Sequence, residues 1–139
     1  MTAVPNATLA ETPTPPKAPA VLVVDDSPPT ARALARVLTN AGYRSTVAHS
    51  GAEALDHAQR LEFAAAVVDI HLGDMNGLVV AQKLRERVGP SGTIIILSGD
   101  TSLETLNSLP HVGATYFFSK PVSASKLVER LKEWVPVST

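Results

Sequence analysis

The sequence predicts an α/β domain built on a five-stranded parallel sheet with helices on both faces. Short apolar runs (Val21 to Val24, Ala64 to Val68, Ile94 to Leu97 and Tyr116 to Phe118) alternate with stretches of helical period. The runs at Val21 and Ala64 are apolar at every position, as strands covered on both faces are. Polar residues stand where the runs end: Asp25 and Asp26, Asp69, Ser98, and Lys120. In an open parallel sheet the strands point their carboxyl ends at one edge, where ligands bind, so these residues are expected to meet in one crevice.

Strand one is expected over about Ala20 to Val24. Leu34, Val37, Leu38 and Ala41 then mark a helix that stops before Gly42, a residue suited to a helix C-terminus. Strand two, Arg44 to Ala48, alternates and is less apolar, which suits a sheet edge. A second helix runs from about Ala52 to Arg60, with Ser50 as its cap and Gly51 beside it. Strand three is Ala64 to Val68, and a loop rich in Gly and Asn leads to a third helix from about Gly77 to Arg87. Gly89-Pro90-Ser91-Gly92 breaks that helix before strand four, Thr93 to Leu97. The fourth helix, about Ser102 to Leu109, has only Leu103, Leu106 and Leu109 as an apolar face and is closed by Pro110. So thin a face marks it as the helix able to move. Strand five is Thr115 to Ser119, and Ser123 caps a last helix that turns Leu127, Leu131 and Trp134 inward and Lys126, Glu129, Arg130 and Lys132 to water.

The 139 residues suffice for one domain with one sizeable core. Residues 1–19, with Pro5, Pro13, Pro15, Pro16 and Pro19, read as a flexible tail, 20–135 as the folded domain and 136–139 as a short C-terminal tail. A formal net charge of -1 gives no global field to draw the chain to nucleic acid or an anionic membrane. The absence of cysteine excludes disulfides, thiolate zinc sites and a cysteine nucleophile. No apolar run approaches the roughly twenty residues that span a bilayer, and Met1 to Ala20 lacks the pattern of a signal peptide. A cytoplasmic location is expected. The chain carries no P-loop, no Gly-x-Gly-x-x-Gly and no nucleophile elbow, so nucleotide binding has no support.

Asp25, Asp26 and Asp69, once converged, repel one another and call for positive compensation. A hard divalent cation supplies it: Mg2+ prefers oxygen ligands and is typically held by one or two carboxylates together with a phosphate, and Mn2+ can stand in its place. The Lys120 ammonium is a second positive charge. One carboxylate can then attack phosphorus to give an acyl phosphate, with metal and lysine neutralising the oxygens in transfer and the Ser98 hydroxyl donating to the phosphoryl group. His71 has no second histidine at ligand spacing, since His49, His57 and His111 fall on other segments, so an imidazole metal site is not expected.

The chain resembles the receiver domains of two-component response regulators from Pro19 to about Val135. The matching motifs are Val-Leu-Val-Val-Asp-Asp at Val21 to Asp26, Val-Val-Asp-Ile-His-Leu-Gly-Asp-Met-Asn-Gly at Val67 to Gly77, Leu-Ser-Gly at Leu97 to Gly99, and Gly-Ala-Thr-Tyr-Phe-Phe-Ser-Lys-Pro at Gly113 to Pro121. The resemblance implies a flavodoxin-like (βα)5 fold with strand order 2-1-3-4-5. It implies that Asp69 takes a phosphoryl group from a histidine kinase or a histidine phosphotransfer protein, with Asp25, Asp26, Asp69 and the His71 backbone carbonyl around the metal. Ser98 and Lys120 would contact phosphoryl oxygens, and Lys120-Pro121 would be cis. Ser98, Phe117 and Pro121 would form the switch, Phe117 holding the aromatic position three residues before Lys120. Because Phe117 has no hydroxyl to keep in water, its ring is expected to be mostly buried even without phosphate. His71 and Asp100 are expected to tune the access of water and partners to the site.

Two departures stand out. Pro28-Pro29 opens the first helix, where a residue before proline resists helical geometry, so a shifted or tightened entry is expected. Gly73 replaces a frequent proline and predicts a more flexible loop. By the same resemblance the output is carried by protein contacts through the surface of helix four, strand five and helix five, as a monomer or a phosphorylation-dependent dimer. The protein would catalyse only its own phosphorylation and dephosphorylation, standing alone, serving a phosphorelay, or forming part of a larger regulator or hybrid kinase. The alternatives are a pseudo-receiver scaffold that is not phosphorylated, or an aspartate-nucleophile phosphatase. The phosphatase needs a second acid two residues after its nucleophile, where this chain has Ser27 after Asp25.

Overall fold

A computed structural model describes residues 18–89, 91–99 and 103–137. Five strands, β1 (Ala20–Val24), β2 (Arg44–Ala48), β3 (Ala65–Asp69), β4 (Thr93–Ser98) and β5 (Tyr116–Ser119), form one parallel sheet in the order β2-β1-β3-β4-β5. Five helices lie between and after them: α1 (Pro28–Asn40), α2 (Gly51–Arg60), α3 (Gly77–Val88), α4 (Leu103–Ser108) and α5 (Ala124–Trp134). This is the flavodoxin-like order that the motifs implied.

Alternation along each strand divides the core in two. Leu22, Val24, Ala66, Val68, Ile94 and Ile96 face α2 and α3, while Val21, Val23, Ala65, Val67, Ile95 and Leu97 face α1 and α5. The central strands are buried on both sides, and β2 at the edge is only partly covered, which is why its sequence alternates.

Several boundaries differ from the sequence reading. β3 starts one residue later and takes in Asp69, β4 takes in Ser98, and β5 begins at Tyr116. α4 ends one residue earlier than expected, at Ser108, the expected start at Ser102 lying outside the described residues, and Pro110 opens a 3-10 turn, Pro110–Val112. The start of α1 is not displaced: Pro28 and Pro29 occupy its first two positions. The first four N–H groups of a helix have no partner within it, so two missing donors there cost little. Ser27 supplies the entry instead, its N–H donating to Asp25 Oδ1 at 2.9 Å and its carbonyl accepting from Ala31 N at 2.9 Å. Trp134 is not turned into the core. It is 37% exposed and rests on the Tyr116 ring at 5.3 Å, because β5 is an edge strand and offers α5 only a shallow apolar face; Leu127, Val128 and Leu131 carry the burial.

α2 is held at both ends by groups from elsewhere. Ser50 Oγ accepts from Glu53 N at 3.0 Å, the N-cap bond, while Glu53 Oε1 accepts from His49 N at 2.6 Å, one residue ahead of the cap. Asp74 adds two further bonds, Oδ1 from Gly51 N at 2.9 Å and Oδ2 from Ala52 N at 3.0 Å. At the other end Arg87 Nε donates to Ala58 O at 2.7 Å. An acid at the N-terminus and a base at the C-terminus both match the helix dipole.

The last helix is tied back by Tyr43, which is fully buried and donates its hydroxyl to Val135 O at 2.7 Å. Burial pushes this hydroxyl up to about 12 from its ordinary 10.0. The folded state therefore keeps a proton that the unfolded chain releases, so the contribution is complete below pH 10 and is lost as pH rises toward 12. Tyr43→Phe is expected to flatten the stability profile across that window and to cost about 1 kcal/mol at neutral pH for the lost hydrogen bond. Denaturant unfolding at stepped pH measures both; a variant with the wild-type slope refutes the assignment.

Candidate functional site

Register brings the polar residues together. Val24 pairs with Val68, so Asp25 and Asp69, one residue further on, leave adjacent strands at the same level. β4 lies on the other side of β3, pairing Leu97 with Asp69, and β5 aligns Ser119 with Ser98, which sets Lys120 beside them. The Lys120 N–H donates to Ser98 O at 2.9 Å, and the Lys120-Pro121 peptide is cis.

Asp25 and Asp69 are almost wholly buried, at 3% and 4% exposure, whereas Asp26 is exposed. Each buried carboxylate gives one oxygen to a backbone N–H and turns the other toward the lysine. Asp25 Oδ1 accepts from Ser27 N, and Asp69 Oδ1 accepts from His71 N at 3.1 Å. Lys120 Nζ lies 2.8 Å from Asp69 Oδ2 and 3.6 Å from Asp25 Oδ2. Burial alone pulls the Lys120 ammonium down, but its bond to Asp69 and the charges of Asp25 and Asp69 together outweigh it and hold the group above its ordinary value. The lysine stem lies along an apolar groove of about 390 Å³ lined by Pro29, Leu34, Val37, Leu97 and Val122.

The carboxylate oxygens of Asp25, Asp26 and Asp69 converge within 4.8 Å of one another. One ammonium cannot neutralise three carboxylates, and the donors are oxygens alone, two nearly dry and one open to solvent. Such a set suits a hard divalent cation arriving from water and does not suit a thiolate or imidazole metal. Ser98 is fully buried at the end of β4. The His71 side chain is exposed, and its backbone forms an antiparallel bridge with Asn76. Asp100 lies outside the described residues. Phe117 is half-buried, less than expected: it packs on the α2 and α3 layer of the core but also lines a groove with Leu106, Leu109 and Ala114 that leaves one side of the ring open.

Sequence reading missed Asp74, which reaches the start of α2, and Arg85, whose guanidinium gathers carbonyls at the opposite edge of the sheet. Neither had a signal, because their partners are set by tertiary packing and not by spacing along the chain.

A sheet of this order with acids and a lysine at its carboxyl edge defines a receiver: the chain belongs to the response regulator receiver domain family, whose model matches residues 21–132. Members of that family are signalling phosphoacceptors that work with histidine kinases and downstream effectors. Among its relatives is the photosynthetic apparatus regulatory protein RegA of Cereibacter sphaeroides, 38% identical over 111 residues, which cover 80% of this chain and 60% of RegA. The chain thus spans less than two thirds of that relative. A CheY-like receiver domain protein from Methanospirillum hungatei JF-1 superimposes with a TM-score of 0.81 at 28% identity, over 86% of this chain and 94% of that one. A response regulator protein from Burkholderia pseudomallei, determined with a phosphorylated aspartic acid, calcium ion and citrate, matches with a TM-score of 0.74 at 33% identity, over 79% of this chain and 64% of that one. No helix among the described residues is long and apolar enough to cross a membrane.

Proposed function

We propose that this receiver takes a phosphoryl group from a phosphohistidine donor onto Asp69 in an Mg2+-dependent reaction and passes the signal on through protein contacts. The observation that carries the reading is Asp69, one of two buried carboxylates, held at once by the His71 amide and, at 2.8 Å, by the Lys120 ammonium inside an acid cluster. The phosphorylated aspartic acid and calcium ion of the Burkholderia pseudomallei relative support it.

Asp25, Asp26, Asp69 and the His71 carbonyl are the residues that would hold Mg2+. When bound, Mg2+ neutralises the carboxylates and the phosphoryl oxygens, so that an anion can approach the cluster. The chain's own residues do the rest. The His71 amide fixes the Asp69 carboxyl so that an oxygen faces the donor in line, and this oxygen attacks phosphorus. The N–P bond breaks with its electron pair left on the imidazole nitrogen, and an aspartyl phosphate remains. Lys120 moves from the carboxylate to a phosphoryl oxygen, and the Ser98 hydroxyl donates to another. The phosphoryl group carries roughly one and a half to two negative charges in place of the carboxylate's one, together with strong acceptor oxygens, enough to draw Ser98 and, behind it, Phe117 on β5. That displacement would reach partners on the face of α4, β5 and α5.

The test is incubation with Mg2+ and acetyl phosphate, followed by intact mass spectrometry of wild type and Asp69→Asn. Wild type is expected to gain one phosphoryl group and the variant none; equal incorporation would overturn the assignment and leave a scaffold that is not phosphorylated at Asp69.

A further inference from the structure

Asp74 sits in the loop that carries the phosphoacceptor's own hydrogen-bond donor, yet its carboxylate binds a different element. The loop from Ile70 to Asn76 is closed tightly at its base. Gly77 N donates to Ile70 O at 2.7 Å, and a Cβ at Gly77 would collide with the Asp69 carbonyl oxygen and Ile70 Cα. The tip is different: Gly73 is exposed, and only Asp26 Oδ2, at 3.9 Å, lies near where its side chain would begin. Little beside Gly73 stiffens it.

The stiffness comes from outside. Both Asp74 oxygens are used, one by Gly51 N and one by Ala52 N. Met75, the next residue, packs so closely on the start of α2 that a Cβ at Gly51 would strike its Cγ and Sδ. Ser50 Oγ caps α2 at Glu53 N and the Glu53 carboxylate takes His49 N ahead of the cap, so Asp74 is the acceptor for the first two amides of the helix and joins them to the loop. The start of α2 in turn adjoins the acid pair: His49 Nδ1 lies 3.4 Å from Asp25 O, and Asp25 N donates to Ala48 O at 3.0 Å. Contacts therefore run from Asp69 through His71, Asp74, α2 and His49 to Asp25, and Lys120 closes the circuit.

We infer that Asp74 is a positioning residue: by tying the tip of this loop to the first turn of α2, it holds the His71 backbone, and through it Asp69, aligned for metal binding and phosphoryl transfer. The inference rests on the function proposed above. It also supplies what Gly73 gives up, replacing local stiffness of the loop by a tether to a helix.

Two variants test it, Asp74→Ala and the double variant Asp74→Ala/Ala52→Asp. The second returns an acid to the exposed first turn of α2 without reaching the loop, so it restores the helix but not the tether. Mg2+ affinity by calorimetry, amide exchange across residues 71–76 and thermal stability are measured together. Asp74→Ala is expected to weaken Mg2+ binding roughly tenfold, the size of effect seen when a supporting partner of a ligand is lost, and to speed exchange in the loop. The double variant is expected to regain stability while Mg2+ binding stays weak. Mg2+ binding that returns with stability, or that Asp74→Ala leaves at the wild-type value, would make Asp74 a helix cap only. A wild-type protein that binds no Mg2+ overturns the site reading itself and this inference with it.

Discussion

Lys120→Met is expected to slow phosphoryl incorporation from acetyl phosphate by roughly a hundredfold, the scale on which removing one preorganised charge from a transition state acts. The ammonium already stands 2.8 Å from Asp69 Oδ2, so it needs only a small shift to meet the incoming phosphoryl oxygens. Methionine keeps the stem's contacts along the groove of Leu34, Leu97 and Val122 and deletes the charge alone. Single-turnover rates at saturating Mg2+ measure the effect, and a variant within twofold of wild type would remove Lys120 from the chemistry. The wild-type ion pair also sets an alkaline limit. The folded state holds this proton more tightly than the unfolded chain, whose ordinary value is 10.5, so the contribution is complete below that pH and is lost as pH rises through the raised folded value. Lys120→Met should lack that part of the alkaline decline.

Arg85→Ala is expected to lower stability by about 2–4 kcal/mol while leaving phosphorylation intact. The guanidinium, on the last turn of α3, ties together the backbone that leads into β4 and β5. Nη1 donates to Gly89 O and Gly92 O, each at 2.7 Å, and Nη2 and Nε donate to Gly113 O at 2.6 and 3.2 Å. Gly89 and Gly113 both have positive φ, 81° and 76°, so these turns depend on conformations that other residues rarely adopt. Without the fork, three carbonyls lose their charged donor at once. Burial pulls the guanidinium's pKa down, which is the cost of placing it there. Arg85→Lys should recover less than half of the loss, because a single ammonium cannot reproduce the planar fork. Urea unfolding of the three proteins decides it: a loss below about 1 kcal/mol for Arg85→Ala would mean that water replaces the fork. The site lies at the opposite edge of the sheet, so a fall in phosphorylation rate among the folded molecules would also count against this role.

Most strands and caps could be read directly from the chain. β1 and β3 show as unbroken apolar runs because both faces are covered, and Ser50 and Ser123 cap α2 and α5 because capping is settled within one turn. The acid pair, Asp69, Ser98 and Lys120 were legible for a related reason: a parallel sheet turns strand ends into neighbours. The readings that needed a partner distant in sequence fared worse. Trp134 has the right spacing for the core, but whether it is buried depends on how far β5 extends beneath α5. Phe117 has an apolar ring, but its cover depends on α4 and the turn after it. Pro28-Pro29 sets the suitability of proline for a first turn against the resistance of a residue that precedes proline, and the free donors of the helix start decide for the former.

Local periodicity and the direction of a parallel strand are enough to set the alternation of strands and helices, the two-sided core and the residues gathered at the carboxyl edge. How those residues are held comes from the packing of the folded chain. That Asp25 and Asp69 share one ammonium, that Asp74 anchors its loop on α2 and that Arg85 reaches Gly113 all rest on contacts between segments 22 to 95 residues apart. Hydrogen bonds and ion pairs act over a few ångströms, and which groups come that close is fixed by packing, which no spacing along the chain encodes.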